Sequence, residues 1–235
     1  MLSVRAQDLL AHFAVYGRFY EKSIAGVAEL LRDRLEIAPP AWALADVVQR
    51  SPDLLVVMMN PGASRPLSAP ALWDDANAQG FVATQPDRTQ HQIMRLLLQA
   101  RAYGLPWQHA RVLNLSDLRT PKSAILIEKI KTYSSDDSHS IFSSARAAQS
   151  QALLADTRVP VLCAWGLHPA LLPLADAALR AVAGHPLLGI SDDARRYRHP
   201  LPQRHDLQLQ WLAQLVAQLP PLAPANRHKP SQSVE

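Results

Sequence analysis

Four short apolar runs punctuate the chain, and each ends in a polar tip. Leu54–Met59 leads into Asn60-Pro61-Gly62, and Ala110–Leu113 leads into Asn114-Leu115-Ser116-Asp117. Val159–Ala164 leads into Trp165-Gly166, and Pro186–Ile190 precedes a loop that carries His199-Pro200-Leu201-Pro202. Unbroken apolar runs this short predict strands buried on both faces, the signature of a parallel sheet flanked by helices. Open parallel sheets bind their ligands beyond the carboxyl ends of the strands. Asn60, Asn114, Trp165 and His199 are therefore expected to converge on one crevice.

Helical spacing fills the intervals. Ile24, Val27, Leu30 and Leu31 recur on one helical face, with Arg32, Asp33 and Arg34 on the other. This pattern predicts a helix from about Ser3 to Ile37, ended by Pro39-Pro40, and a short helix from Ala41 to Arg50. Residues 1–51 are thus expected to form an N-terminal helical extension. Asp87 caps a helix reaching Tyr103, and Thr120-Pro121 opens another. Further helices are expected over Ser140–Asp156, from His168-Pro169 to about Gly184, and from Asp206 onward with a Leu209, Leu212, Leu215, Leu219 stripe. The long connection from Gly62 to Asp87 has the length of a functional loop. Residues 52–219 then predict an α/β three-layer sandwich around a four-stranded parallel sheet. The proline-rich, polar residues 220–235 predict a disordered tail.

Composition narrows the classes. With 235 residues, 48% of them hydrophobic, the chain can bury a full core as one domain with extensions. No apolar run is long enough to span a bilayer and no secretory leader is evident, so a cytoplasmic location is expected. The single cysteine, Cys163, lies inside a predicted strand and reads as core. One cysteine also excludes a disulfide framework or a four-cysteine metal or iron–sulfur site within the chain. Glycine-rich phosphate loops are missing, and no cofactor or metal is expected. The formal charge is +4, and Arg195, Arg196, Arg198, Arg204 and His205 gather around His199.

In order and spacing, the four tips resemble the uracil-DNA glycosylase superfamily over about residues 52–218. That family carries a G-x-[D/N]-P element, an L-L-N element, a strand ending in W-G or F-G, and an H-P-S loop before its last helix. The matching residues here are Met58-Met59-Asn60-Pro61-Gly62, Val112-Leu113-Asn114, Cys163-Ala164-Trp165-Gly166 and His199-Pro200-Leu201-Pro202. Met58 replaces the glycine, Asn60 replaces aspartate as in the mismatch-specific branch, and no serine follows Pro200. The same residues also resemble an uncharacterised bacterial family with M-N-P-S, N-L and H-P-L motifs.

The resemblance implies a monofunctional DNA glycosylase, since no lysine occupies a motif position. Cleaving an N-glycosidic bond places positive charge on the sugar and negative charge on the departing base. Asn60 would hold the attacking water and His199 would donate to the anionic base. Pro61, Gly62 and Asn114 would contact the flipped base, with Trp165 packed beneath it. Gly62 stands where the uracil-specific branch has a tyrosine, which implies room for a C5-substituted pyrimidine. Leu201 would wedge into the base stack, and Arg196, Arg198 and Arg204 would meet phosphates of the DNA partner. The expected protein is a monomer acting in base repair or in defence against phage with modified DNA. An inactive nucleic-acid-binding module and a nucleoside or nucleotide hydrolase are the alternatives. Each tip also has an ordinary reading: Asn60-Pro61-Gly62 as a turn, Asn114 as a backbone cap, His199 as a surface histidine.

Overall fold

In the computed structural model the described residues are 4–67 and 80–219. Their strands are β1 (Ala14–Ile24), β2 (Val27–Ala38), β3 (Leu54–Met58), β4 (Arg65–Pro66), β5 (Phe81–Gln85), β6 (Ala110–Asn114), β7 (Val161–Ala164) and β8 (Leu187–Leu188). The helices are α1 (Ala6–Leu9), α2 (Leu44–Gln49), α3 (Arg88–Ala102), α4 (Ser123–Thr132), α5 (Ala147–Leu153), α6 (Leu172–Ala181) and α7 (His205–Val216).

The strands form one eight-stranded sheet in the order β4-β5-β1-β2-β6-β3-β7-β8. This corrects the expected four-stranded, uracil-DNA-glycosylase-like parallel sheet. The four apolar runs do pair in parallel, as β6-β3-β7-β8. They are only half of a mixed sheet, because β2 pairs antiparallel with β6 and brings β1, β5 and β4 with it.

The expected helix over Ser3–Ile37 is also corrected: apart from α1, that segment is the β1–β2 hairpin. Ala25 (φ 48°) and Gly26 (φ 80°) make its two-residue turn, with both φ values positive as the right-handed twist of a hairpin requires. The helical face suggested by Ile24, Val27, Leu30 and Leu31 is broken up, since Ile24 and Leu31 are buried while Val27 is exposed. A register shift sets Arg18 opposite Arg34 and Phe19 opposite Arg32, leaving Asp33 as the extra residue of a bulge.

Strand alternation feeds two cores. Leu54, Val56 and Met58 of β3 face a layer containing Ile93 and Leu97 of α3 and Leu212 and Leu215 of α7. Leu55 and Val57 face the opposite layer, with Leu154, Leu174 and Ala178. Cys163 is buried there, and burial pushes its thiol up to about 12. The helix over Ser140–Asp156 shrinks to α5 behind a short 3-10 turn at Ser144–Arg146. Asp87 does cap α3, through a capping box with Gln90. Asp206 lies inside the first turn of α7, whose cap position is Arg204. The expected tail, 220–235, lies outside the described residues.

A strand as charged as β2 occupies the middle of the sheet because its charges find partners. Glu36 has no exposed surface and accepts from Arg34 Nε at 2.5 Å, His109 Nε2 at 2.6 Å and Arg111 Nε at 2.8 Å. Burial alone would raise its pKa; the His109 hydrogen bond and the charges of Arg111 and Arg34 override that and hold the carboxyl below the usual range. Replacing Glu36 by Ala leaves two buried guanidinium groups without their shared anion. Urea unfolding should register a loss of about 3–5 kcal/mol, and a loss below 1 kcal/mol would show that solvent takes over the pairing.

Candidate active site

A cavity of about 540 Å3 opens at the carboxyl end of β3. Its wall includes Asn60, Pro61 and Gly62 from the β3 tip, His199 and Leu201 from the loop before α7, Asp87 from the α3 cap, and Arg32 from β2. Five of the predicted site residues therefore share one pocket. Backbone hydrogen bonds lock the tips together: Leu115 N to Met58 O at 2.8 Å, Ser116 N to Met59 O at 3.1 Å, and Gly166 N to Tyr197 O at 2.7 Å.

Asn60 is oriented by its surroundings. Its Nδ2 donates to Leu118 O at 3.1 Å and Thr120 O at 2.8 Å, so both amide protons are engaged and Oδ1 is the acceptor left over. His199 is oriented too. Its Nδ1 accepts from Leu201 N–H at 3.2 Å, which places the ring proton of the neutral tautomer on Nε2. Burial lowers the pKa of His199, and the opposing pull of the Asp87 carboxylate does not cancel it. At neutral pH the group is an uncharged N–H donor.

Asp87 and Arg32 are the functional candidates that sequence reasoning missed. Asp87 Oδ1 accepts from Thr89 N at 2.9 Å and Gln90 N at 3.1 Å, which fixes the carboxylate at the positive end of α3. Gly62 has φ +65°, and a Cβ added there would lie 2.9 Å from Asp87 Oδ2 and within 4 Å of nothing else outside its immediate neighbours. The β3 turn and the α3 cap thus meet at a glycine. Arg32 is 1% exposed, yet its Nε and Nη1 have no hydrogen-bond partner. Burial lowers its pKa to about 10, against the nearby charges of Asp87 and Asp117, so it stays cationic at neutral pH. A sequence signal existed for Asp87, which was identified only as a cap. None existed for Arg32, whose place depends on β2 running antiparallel beside β6.

Other predicted residues lie elsewhere. Asn114 is fully buried behind the pocket, its Nδ2 donating to Arg32 O at 3.3 Å. Trp165 is 1% exposed, donates to Arg195 O at 3.1 Å and packs edge-on against Tyr197 at 5.0 Å. Arg196, Arg198 and Arg204 are exposed and paired with Asp193, Asp192 and Asp206 respectively. A second hollow of about 250 Å3 adjoins Leu201 and is rimmed by Arg5, Arg88, His91, Arg95 and His205. Lys129 Nζ is held by Glu29 at 2.5 Å. Among the described residues no cluster of three His, Cys, Asp or Glu side chains suits a metal, and no helix is long and apolar enough to cross a membrane.

No protein-family model, curated protein or solved structure matches the chain.

Two stability measurements check this geometry. Gly62→Ala puts a side chain into a left-handed backbone conformation and against the Asp87 carboxylate; urea unfolding should show a loss of about 1–2 kcal/mol. Wild-type stability would mean that the turn relaxes freely. The second concerns His199, whose folded pKa lies below the value of about 6.5 in an unfolded chain. Between those two values the unfolded state binds more protons, so stability falls as pH drops from about 6.5 through the folded pKa. His199→Asn keeps an acceptor for Leu201 N–H and removes the titration. Its Tm should fall less than that of the wild type between pH 7 and pH 5, and parallel curves would overturn the assignment.

Proposed function

We propose that the pocket hydrolyses the N-glycosidic bond of a C5-substituted pyrimidine nucleotide in DNA. The observation that carries the reading is the fixed pairing of an acceptor and a neutral donor in one cavity: Asn60 Oδ1, freed by its two amide bonds, and His199 Nε2–H, fixed by Leu201. Water held by Asn60 attacks the anomeric carbon. The carbon–nitrogen bond breaks and its electron pair leaves with the base. The Asp87 carboxylate takes the water proton, and His199 Nε2–H donates to the anionic base as it departs. A neutral histidine suits this role, because it stabilises the base anion without having to be protonated first. Gly62 itself raises no side-chain wall against a substituent on the base, and the nearest group beyond it is the Asp87 carboxylate.

A second reading, hydrolysis of free nucleosides, is favoured by one observation: Arg196, Arg198 and Arg204 already have aspartate partners. Exposed pairs of this kind are weak and exchange readily for phosphate.

The test is release of abasic sites, scored by alkaline cleavage, from duplexes carrying uracil, thymine, 5-hydroxymethyluracil or glycosylated cytosine. Base release is expected from a C5-substituted substrate. Asn60→Ala should lower it by roughly 100-fold or more while DNA binding persists and stays steeply salt-dependent. Release from nucleosides but not from DNA selects the second reading. Release from neither overturns both.

A further inference from the structure

We infer that Arg32 forms a subsite at the back of the pocket that takes acceptor atoms of the ligand. This chemistry is shared by the acceptor edge of a departing nucleobase and by a phosphate group.

The inference starts from a contrast within the chain. Among the described residues three arginines are buried, and two of them are paired: Arg34 and Arg111 both donate to Glu36 and to the carbonyl of Val48. Arg146, largely covered, is shared between Asp33 and Asp117. Arg32 lies two residues before Arg34 on the same strand and is as well buried, but its Nε and Nη1 touch no acceptor. A buried donor without a partner costs free energy, and a charged one costs more. The fold nonetheless holds this residue firmly. Its N–H donates to Asp117 O at 2.9 Å and its carbonyl accepts from Asn114 Nδ2 at 3.3 Å. Arg32 thus lines the cavity on an ordered backbone, with its guanidinium in the field of Asp87 and its Nε and Nη1 unfilled.

A guanidinium with open N–H groups calls for acceptor atoms on whatever enters beside it. Asp87 on the same wall offers the opposite chemistry, a carboxylate that wants a donor or a positive charge. A nucleobase offers Arg32 its acceptor edge without placing a full second anion beside Asp87, whereas a bare phosphate sets two anions side by side. The identity of the ligand rests on the N-glycosyl hydrolase reading; the existence of the subsite does not.

The experiment uses the full chain, as wild type, Arg32→Met and Arg32→Lys. Calorimetric titration is made with free uracil, 5-hydroxymethyluracil and inorganic phosphate, alongside unliganded melting curves and the base-release assay. Arg32→Met should melt at or above the wild-type temperature, because it removes an unpaired buried charge, yet bind the free base at least tenfold more weakly. Arg32→Lys should bind at an intermediate level, and it serves alone if the Met variant does not fold. Arg32-dependent binding of phosphate but not of base keeps the subsite and assigns it to a phosphate. A melting temperature lowered by Arg32→Met with ligand binding unchanged would make the residue structural and overturn the inference, as would binding of neither probe by the wild type. Base release that survives Arg32→Met with unchanged kcat and KM overturns the subsite alone. Arg32-dependent binding without base release from any DNA or nucleoside overturns the hydrolase reading alone.

Discussion

The Glu36 carboxylate, sealed from water and held by Arg34, Arg111 and His109, is the constraint on which the rest of the architecture depends. Edge strands can carry charge into solvent, but β2 is an inner strand covered on both sides. Its Arg34 and Glu36 must be neutralised where they stand. They pair with each other, and Glu36 takes further partners from Arg111 of β6 and from His109 just before it, so charge pairing and strand pairing specify the same neighbour. Removing either leaves the other with buried, unanswered groups. This couples the antiparallel half of the sheet to the parallel half by charge pairing as well as by the apolar pattern that sets register.

That coupling also builds the pocket. Because β2 runs antiparallel to β6, its first half lies against the carboxyl end of β6, where the parallel strands present their tips. Arg32 reaches the cavity for this reason and no other. The bulge at Asp33 serves the same end, since the extra residue takes its carboxylate to Arg18, Arg146 and Gln149 while Arg32 stays at the wall. The ligand crevice of a parallel sheet here acquires a cation from an antiparallel strand.

The legible and illegible parts of the chain divide along the same line. The parallel strands β3 and β7 were readable because they are buried on both faces, and their apolar runs contain no ambiguity of period. The cap at Asp87 was readable because a capping box is a local device, with Gln90 three residues away. The β1–β2 hairpin was not. Its strands are long, and Arg32, Asp33, Arg34 and Glu36 imitate the solvated face of an amphipathic helix. Only the tertiary partners, His109 and Arg111 some seventy residues on, make such a strand possible. The clearest local clue was Ala25-Gly26, a two-residue turn whose geometry admits glycine easily and alanine reluctantly. Among site residues, Asn60 and His199 could be placed together from strand order alone, while Pro61, Gly62 and Leu201 were named only through the family resemblance. Asn114 and Trp165 also sit at strand tips, but the tips they end are covered by the β2 crossing and by the Tyr197 loop. Asn114 therefore supports Arg32 from behind, and Trp165 packs.

The pocket's polar groups differ in how their orientation is secured, and the difference has a physical logic. Asn60, His199 and Asp87 each spend part of their hydrogen-bonding capacity on backbone groups and keep one atom in reserve: Oδ1, Nε2–H and Oδ2. Such partial engagement costs little and leaves each side chain in a fixed pose before any ligand arrives, which is the condition under which dipoles lower a barrier instead of merely binding. Arg32 is the opposite case, fixed through its main chain with its side-chain fork uncommitted. Burial strengthens every interaction that this fork makes with an entering group, because no water competes for it. The same burial is a liability in the empty protein, and the paired arginines elsewhere on β2 and β6 demonstrate that the fold can avoid it. Arg32, unpaired beside three pre-oriented groups, stands in contrast to Arg34 and Arg111, which share the Glu36 carboxylate.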